Sequence, residues 1–268
     1  MAQAVAYRSR VGRGVLAAAV LGSGMALLDG TVVNVALRRI GSDLGASLEQ
    51  LQWVTNGYLL TLASLILVGG ALGDRFGRRR VFIVGVVWFA AASLACGLAQ
   101  TPVQLVVFRL IQGAGSALLT PGSLAIIQAV YRPADRARAI GAWSGLGGIA
   151  TAIGPFVGGG LVQYASWRWV FLVNVPVAAA TVWCARRYVP ETSDPLASRS
   201  FDLTGAALAV LGLAGSTFAL VEWAALPAAP VAASGTSGAA AAVAFVLVER
   251  RRRAPMMPTG LFASRLFS

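Results

Sequence analysis

Eight long apolar runs, separated by short polar or arginine-rich breaks, make up most of the chain. They lie at roughly 14–37, 50–72, 81–99, 103–130, 138–163, 168–186, 204–224 and 230–249. A hydrocarbon core ~30 Å thick takes about 20 apolar residues of helix, so each run predicts one transmembrane helix. The eighth is the weakest, because Ser234-Gly-Thr-Ser-Gly238 interrupts its first half. Between the second and third runs stands Gly70-Ala-Leu-Gly-Asp-Arg-Phe-Gly-Arg-Arg-Arg80, a short charged turn. Its glycines at 70, 73 and 77 permit a tight backbone path. So short a link predicts an adjacent, antiparallel helix pair.

The charges orient these helices. With the N-terminus cytoplasmic, the cytoplasmic breaks collect Arg8, Arg10, Arg13, Arg75, Arg78–Arg80, Arg132, Arg136, Arg138, Arg186, Arg187, Arg199 and Arg250–Arg253, which is seventeen. The outer side collects only Arg38, Arg39 and Arg168. That asymmetry follows the positive-inside rule. It predicts a multi-pass protein of the inner (plasma) membrane with a cytoplasmic N-terminus.

Composition agrees: 57% of the 268 residues are hydrophobic, 12% are charged, and mean hydropathy is +0.73. A soluble domain carries about a quarter charged residues. The formal charge of +12 is entirely arginine. Because the arginines cluster between apolar runs, they point to a lipid bilayer and not to nucleic acid. The chain has no histidine, and Cys96 and Cys184 both lie in apolar runs, so no metal site is expected. No nucleotide loop or nucleophile constellation appears, which argues against a pump or an enzyme.

Two charges fall inside the spans. Asp29 is at the middle of the first, where a carboxylate costs on the order of 3 kcal/mol on insertion scales. It reads either as a proton-titrating group facing a polar cavity or as a structural carboxylate bonded by Thr31, Asn34 or a neighbouring helix. Arg109 lies in the outer part of the fourth span, on one stripe with Gln112, Gly113 and Ser116. It reads either as a partner that tunes a nearby carboxylate or as a side chain snorkelling outward. Asn34, Gln52, Trp53, Asn56, Tyr58 and Gln112 are candidate cavity residues, with an interfacial belt the alternative for the group near residue 52. Trp167 and Trp169 are expected at the outer interface. Asp135 is placed to cap the fifth helix and to pair with an arginine of the 75–80 turn. Gly154, Pro155, Gly158 and Gly159 predict a kinked, closely packed fifth helix with a gating role added.

These motifs resemble the major facilitator superfamily, and within it the fourteen-helix drug:proton antiporters. Gly70-xxx-Asp74-Arg75-Phe-Gly77-Arg78-Arg79-Arg80 is similar to that superfamily's motif A. Arg109-xx-Gln112-Gly113-x-Gly115 is similar to motif B, and Gly154-Pro155-xx-Gly158-Gly159 to motif C. Leu28-Asp29-x-Thr31-Val-Val-Asn34 and Trp167-Arg-Trp-Val-Phe-Leu-Val-Asn-Val-Pro176 look like signatures of the fourteen-helix branch. The resemblance implies an all-α major facilitator fold and proton-driven export of small amphipathic drugs or metabolites by alternating access. No cofactor is implied; the driving force is a proton gradient. It implies proton coupling through Asp29 and Arg109, and a cytoplasmic latch of Gly70, Asp74, Arg75, Gly77, Arg78 and Asp135.

The implied organisation is a six-helix N-terminal lobe at 1–186, a cytoplasmic link at 187–203, two additional spans at 204–249, and at 250–268 a cytoplasmic segment that starts a further helix. Two departures from the family pattern bear on expectation. Arg38-Arg39 stand where the family places a proline after Ala-Leu, which predicts a perturbed outer end of the first helix. A second lobe is absent, so the chain reads as the front part of a longer transporter or, alternatively, as a half-transporter without transport of its own.

Overall fold

A computed structural model describes residues 4–193, 203–223 and 227–251. Its helices are α1 (Arg10–Leu44), α2 (Leu48–Phe76), α3 (Arg78–Leu98), α4 (Pro102–Val130), α5 (Pro133–Tyr164), α6 (Trp169–Leu172), α7 (Asn174–Tyr188), α8 (Leu203–Glu222) and α9 (Ala228–Arg251). The short α6 and α7 together form one span, Trp169–Tyr188, so eight membrane-length helices stand among the described residues. The linker residues 194–202 and the segment after 251, including the expected further helix, lie outside them.

Local chemistry sets the helix ends. Ser47 and Gln50 form a reciprocal capping box at the start of α2. Thr101 caps α4 just before Pro102, where the missing N–H of proline is harmless. Gly45 closes α1 in the left-handed conformation.

The charged break at residues 70–80 is tighter than the sequence suggests. Helix α2 runs through Gly70, Gly73 and Asp74 to Phe76, and α3 begins at Arg78, so Gly77 alone joins them. Only Gly77 of these three glycines has a positive φ, at 107°. The apolar runs mark the hydrocarbon depth, and helix continues past it into the charged residues. For the same reason α1 continues unbroken through Arg38-Arg39 to Leu44. Arg39 pairs with Asp43 one turn on, at 3.2 Å, so the expected perturbation is absent.

Helix α4 packs between α2 and α3, and α1 packs on α5 and α7. Missing side chains permit the closest approaches. A Cβ on Gly113 would overlap Thr61 of α2, and one on Gly115 would lie 2.7 Å from the Phe89 amide nitrogen of α3. Gly154 and Gly158 of α5 meet Thr31 and Val32 of α1 in the same manner, whereas Gly159 faces open space. Helix α5 remains one helix through Pro155.

Helices α8 and α9 form a hairpin that leans on α2, with Phe218 against Trp53. The interruption at residues 234–238 is its packing seam. A Cβ on Gly215 would lie 2.9 Å from the Gly238 Cα, and Ser234 donates to the Gly215 carbonyl at 3.1 Å. What reads as a weak span is a helix with a small-residue face.

Trp167 does not face outward. It is buried, donates to Asp43 at 3.1 Å and meets Phe171 edge-on. Trp169 is the exposed member of the pair.

Candidate functional site

Three helices meet at Asp29: its own α1, α4 and α7. The carboxylate is wholly buried and accepts hydrogen bonds from three side chains on two other helices. Arg109 Nη1 donates to Oδ2 at 2.5 Å, while Gln112 Nε2 and Asn174 Nδ2 donate to Oδ1 at 2.9 and 3.2 Å. Thr31 and Asn34 instead bond back to the carbonyls of Leu28 and Gly30 in their own helix. Asp29 is closed off from solvent and met by three donors, which is how a charge is made tolerable away from water.

Arg109 is 1% exposed, so its side chain does not snorkel. Its Nε donates to the Val54 carbonyl at 2.9 Å and its Nη1 to Gln112 Oε1 at 2.8 Å. The guanidinium also lies over the Tyr58 ring, 4.2 Å from its centroid. The Tyr58 hydroxyl is within 2.8 Å of Ser116 Oγ, so Tyr58 and Gln112 belong to this buried cluster and do not line an open cavity. Trp53 is covered by Phe218, while Gln52 and Asn34 are exposed and Asn56 is half-buried.

The network continues through α3. Asn174 also donates to Ser93 Oγ at 3.0 Å, and Ser93 donates to the Phe171 carbonyl at 2.9 Å, where α6 gives way to α7. The Cys96 thiol points at Gln112 Oε1, 3.6 Å away. Chemically, the site is a neutral pair of opposite charges in which Asp29 accepts three hydrogen bonds and Arg109 donates three. Loss of the Asp29 charge would leave the Arg109 cation buried without its counter-ion.

A second charged site surrounds Gly77. Asp74 and Arg78 pair across the joint at 2.7 Å. Glu191, just after α7, accepts the Arg79 amide at 3.1 Å and lies 3.5 and 3.7 Å from the Arg79 and Arg80 side chains. The carboxylate thus stands at the N-terminus of α3, where the helix dipole favours an anion. A Cβ on Gly77 would lie 2.6 Å from Glu191 Oε1. A cleft of about 150 Å³ opens beside Asp74, between Gly70, Gly73, Pro121 and Gly122.

Asp135 does not reach this joint. It accepts the Tyr7 amide at 3.1 Å, and no ion pair links it to residues 75–80 among the described residues. The cause is the N-terminal segment. Val5 bridges to Tyr131, Arg138 lies over the Tyr7 ring at 4.8 Å, and the Tyr131 hydroxyl donates to the Gly12 carbonyl. Burial pushes the Tyr131 phenol up to about 12. Helix α5 also starts without a side-chain cap; Asp135 sits in its first turn.

Sequence reasoning missed Ser93, Asn174 and Glu191. An asparagine at bilayer depth beside Pro176 was a usable signal for Asn174. A lone glutamate following the Arg186-Arg187 cluster was one for Glu191. Ser93 carried none.

Residues 19–248 match the family model of the Major Facilitator Superfamily. The chain belongs to that superfamily. It is 42% identical to the tetracenomycin C resistance and export protein of Streptomyces glaucescens, over 93% of this chain and 47% of that protein. It is 39% identical to the methylenomycin A resistance protein of Bacillus subtilis, covering 97% of this chain and 56% of the relative. The puromycin resistance protein of Streptomyces alboniger is also 39% identical, over 90% of this chain and 48% of its own length. The chain therefore spans about half the length of the curated relatives it matches. In fold, this member of the superfamily is similar to a peptide transporter POT variant in complex with sulfate, with a TM-score of 0.67 at 14% identity over 93% of this chain and 55% of that one. A bacterial homologue of the lysosomal transporter Spinster gives 0.55 at 21% identity, over 94% and 66% of the two chains.

Proposed function

We propose that the protein is a secondary transporter of the plasma membrane that exports small amphipathic drugs or metabolites in exchange for protons, with its N-terminus cytoplasmic. The observation that carries this reading is the wholly buried Asp29, every hydrogen bond to which comes from another helix. The names of the relatives, which are resistance and export proteins, support the export direction.

A proton arriving at Asp29 removes the charge that Arg109, Gln112 and Asn174 are arranged to meet. Both the Arg109 ion pair and the tie between α1, α4 and α7 then weaken together. Coupling follows if the two protonation states favour different helix arrangements. In alternating access, this lobe rocks against a second one around a midplane site. The Asp74–Arg78 pair is the latch on the cytoplasmic side, and its partner is a helix N-terminus of that second lobe, docking at the Asp74 cleft. Gly154, Pro155 and Gly158 hold α5 against α1 so that the two helices move as one.

Everted vesicles from cells expressing the protein provide the test. Efflux of an amphipathic dye driven by a pH gradient should fall at least about tenfold in Asp29→Asn at matched protein amount. Undiminished efflux in that variant would remove Asp29 from the mechanism.

A further inference from the structure

On the side of α3 turned away from α4, a groove runs between α3 and α7. The groove measures about 750 Å³, and its apolar part is walled by Ala91 and Leu94 of α3 and by Val175, Ala179 and Trp183 of α7. Small side chains at positions 91 and 179 leave the channel open, and Leu94 and Trp183 border it as exposed apolar surface. One end of this groove carries Arg186 and Arg187. There it meets a second hollow of about 480 Å³ bounded by Arg79, Arg80 and Arg186.

The dimensions match one leaflet. From Arg79 to Leu94 is fifteen helical residues, or ~22 Å of rise, against a half-thickness of ~15 Å for the hydrocarbon core plus the headgroup layer. Trp183 and Tyr188 meet edge-on at 5.9 Å at the arginine end, where an aromatic belt marks the interface. Charge completes the match. Among the described residues, four arginines gather there against one acid, Glu191, and neither Arg186 nor Arg187 is in an ion pair. Basic pockets between helices at the headgroup level take anionic lipid.

We infer that this groove is a binding site for one anionic phospholipid, its acyl chain lying between α3 and α7 and its phosphate held by Arg186 and Arg187 with Arg79 and Arg80 behind. The site is independent of the transport reading and of which leaflet the arginines face. Glu191 keeps Arg79 and Arg80 turned toward the α3 terminus, which leaves Arg186 and Arg187 as the first contacts. The acyl chain covers apolar wall that no other part of the described chain covers.

Native mass spectrometry of the purified chain, with phosphatidylglycerol and phosphatidylcholine of identical acyl chains, tests the site. The wild type should retain phosphatidylglycerol at least about tenfold better, because two interfacial arginines together favour an anionic lipid by a factor of at least that order. Arg186→Gln with Arg187→Gln should abolish the preference, and Arg186→Lys with Arg187→Lys should keep most of it, with circular dichroism unchanged in both. Ala179→Phe should reduce retention of both lipids by blocking the channel. Equal retention of the two lipids by the wild type would overturn the inference, as would a preference untouched by the glutamine pair. Full competition by glycerol phosphate would do the same by showing that the acyl groove is not used. Lipid-free dimers in place of lipid adducts would hand the groove to a second copy of the chain and equally dismiss it.

Discussion

Arg109 meets Asp29 at 2.5 Å across the contact between α4 and α1, and neither side chain is more than 1% exposed. The pair is worth little as a net contribution, since burying two charges offsets most of their attraction. Breaking it from one side is different. Arg109→Ala should destabilise the protein by about 3–5 kcal/mol, because it leaves a buried carboxylate with Gln112 and Asn174 as its sole remaining partners. The combined Asp29→Asn, Arg109→Gln variant should lose less than Arg109→Ala alone. Thermal unfolding in detergent measures these together with the single Asp29→Asn and Arg109→Gln variants, and a combined loss equal to the sum of those two single losses would show that the two residues do not act as a pair.

Two glycines of similar motif standing have opposite surroundings. Gly113 abuts α2 at Tyr58 and Thr61, whereas Gly159 has open space where a Cβ would be. Gly113→Ala should therefore force α2 and α4 apart at a cost of about 1–3 kcal/mol, and Gly159→Ala should stay within about 0.5 kcal/mol of wild type. Comparing the unfolding midpoints of the two variants decides the matter. Transport lost in Gly159→Ala with stability unchanged would place that position against a partner surface in the working transporter.

The contrast shows what was legible beforehand. Eight spans followed from run length alone, since the bilayer imposes about 20 residues per crossing. Asp29 and Arg109 stood out because charge at membrane depth is costly. That they touch was not legible, because they are eighty positions apart and on different helices. The Asp135 pairing failed for a related reason: an N-terminal segment whose residues carry no apolar periodicity occupies that carboxylate. Tyr58 looked like a cavity residue because its hydroxyl is polar, but the arginine above its ring and Ser116 beside its hydroxyl use both of its chemical faces.

The N-terminal segment carries a pH signature of its own. Tyr131, outside the spans, donates to the Gly12 carbonyl and titrates near 12, while an unfolded tyrosine titrates at ~10. A raised folded value means that the contribution is fully present below pH ~10 and lost as pH climbs toward 12. Tyr131→Phe should flatten that alkaline decline in the unfolding midpoint. In the same region, Asp135→Ala releases the Tyr7 amide, and trypsin should then cut at Arg8 and Arg10 faster than in wild type; equal cleavage rates would mean that the segment is held by Val5 and Tyr131 alone.

Glu191→Gln removes one charge from the α3 N-terminus while keeping its acceptor oxygen. With about a third of these side chains exposed, the loss should be modest, about 0.2–1 kcal/mol, and should shrink in high salt. Gly77→Ala should cost more than Glu191→Gln, since it combines a strained φ with a contact at Glu191. Measured by chemical denaturation, a reversed order would mean that the carboxylate, and not the backbone, fixes the joint.

The single residue between α2 and α3 leaves the joint without slack. A hairpin with a loop would let one helix tilt while the other stayed. Here a displacement of Asp74 must turn α3 as well, because Gly77 is the sole link and Glu191 wedges it on the open side. From Arg78 to Ser93 that helix is a rod of ~22 Å, and its far end holds Asn174, which in turn holds Asp29. A displacement at the charged rim would therefore reach the buried carboxylate along a single rigid lever, with Gly77 as its fulcrum.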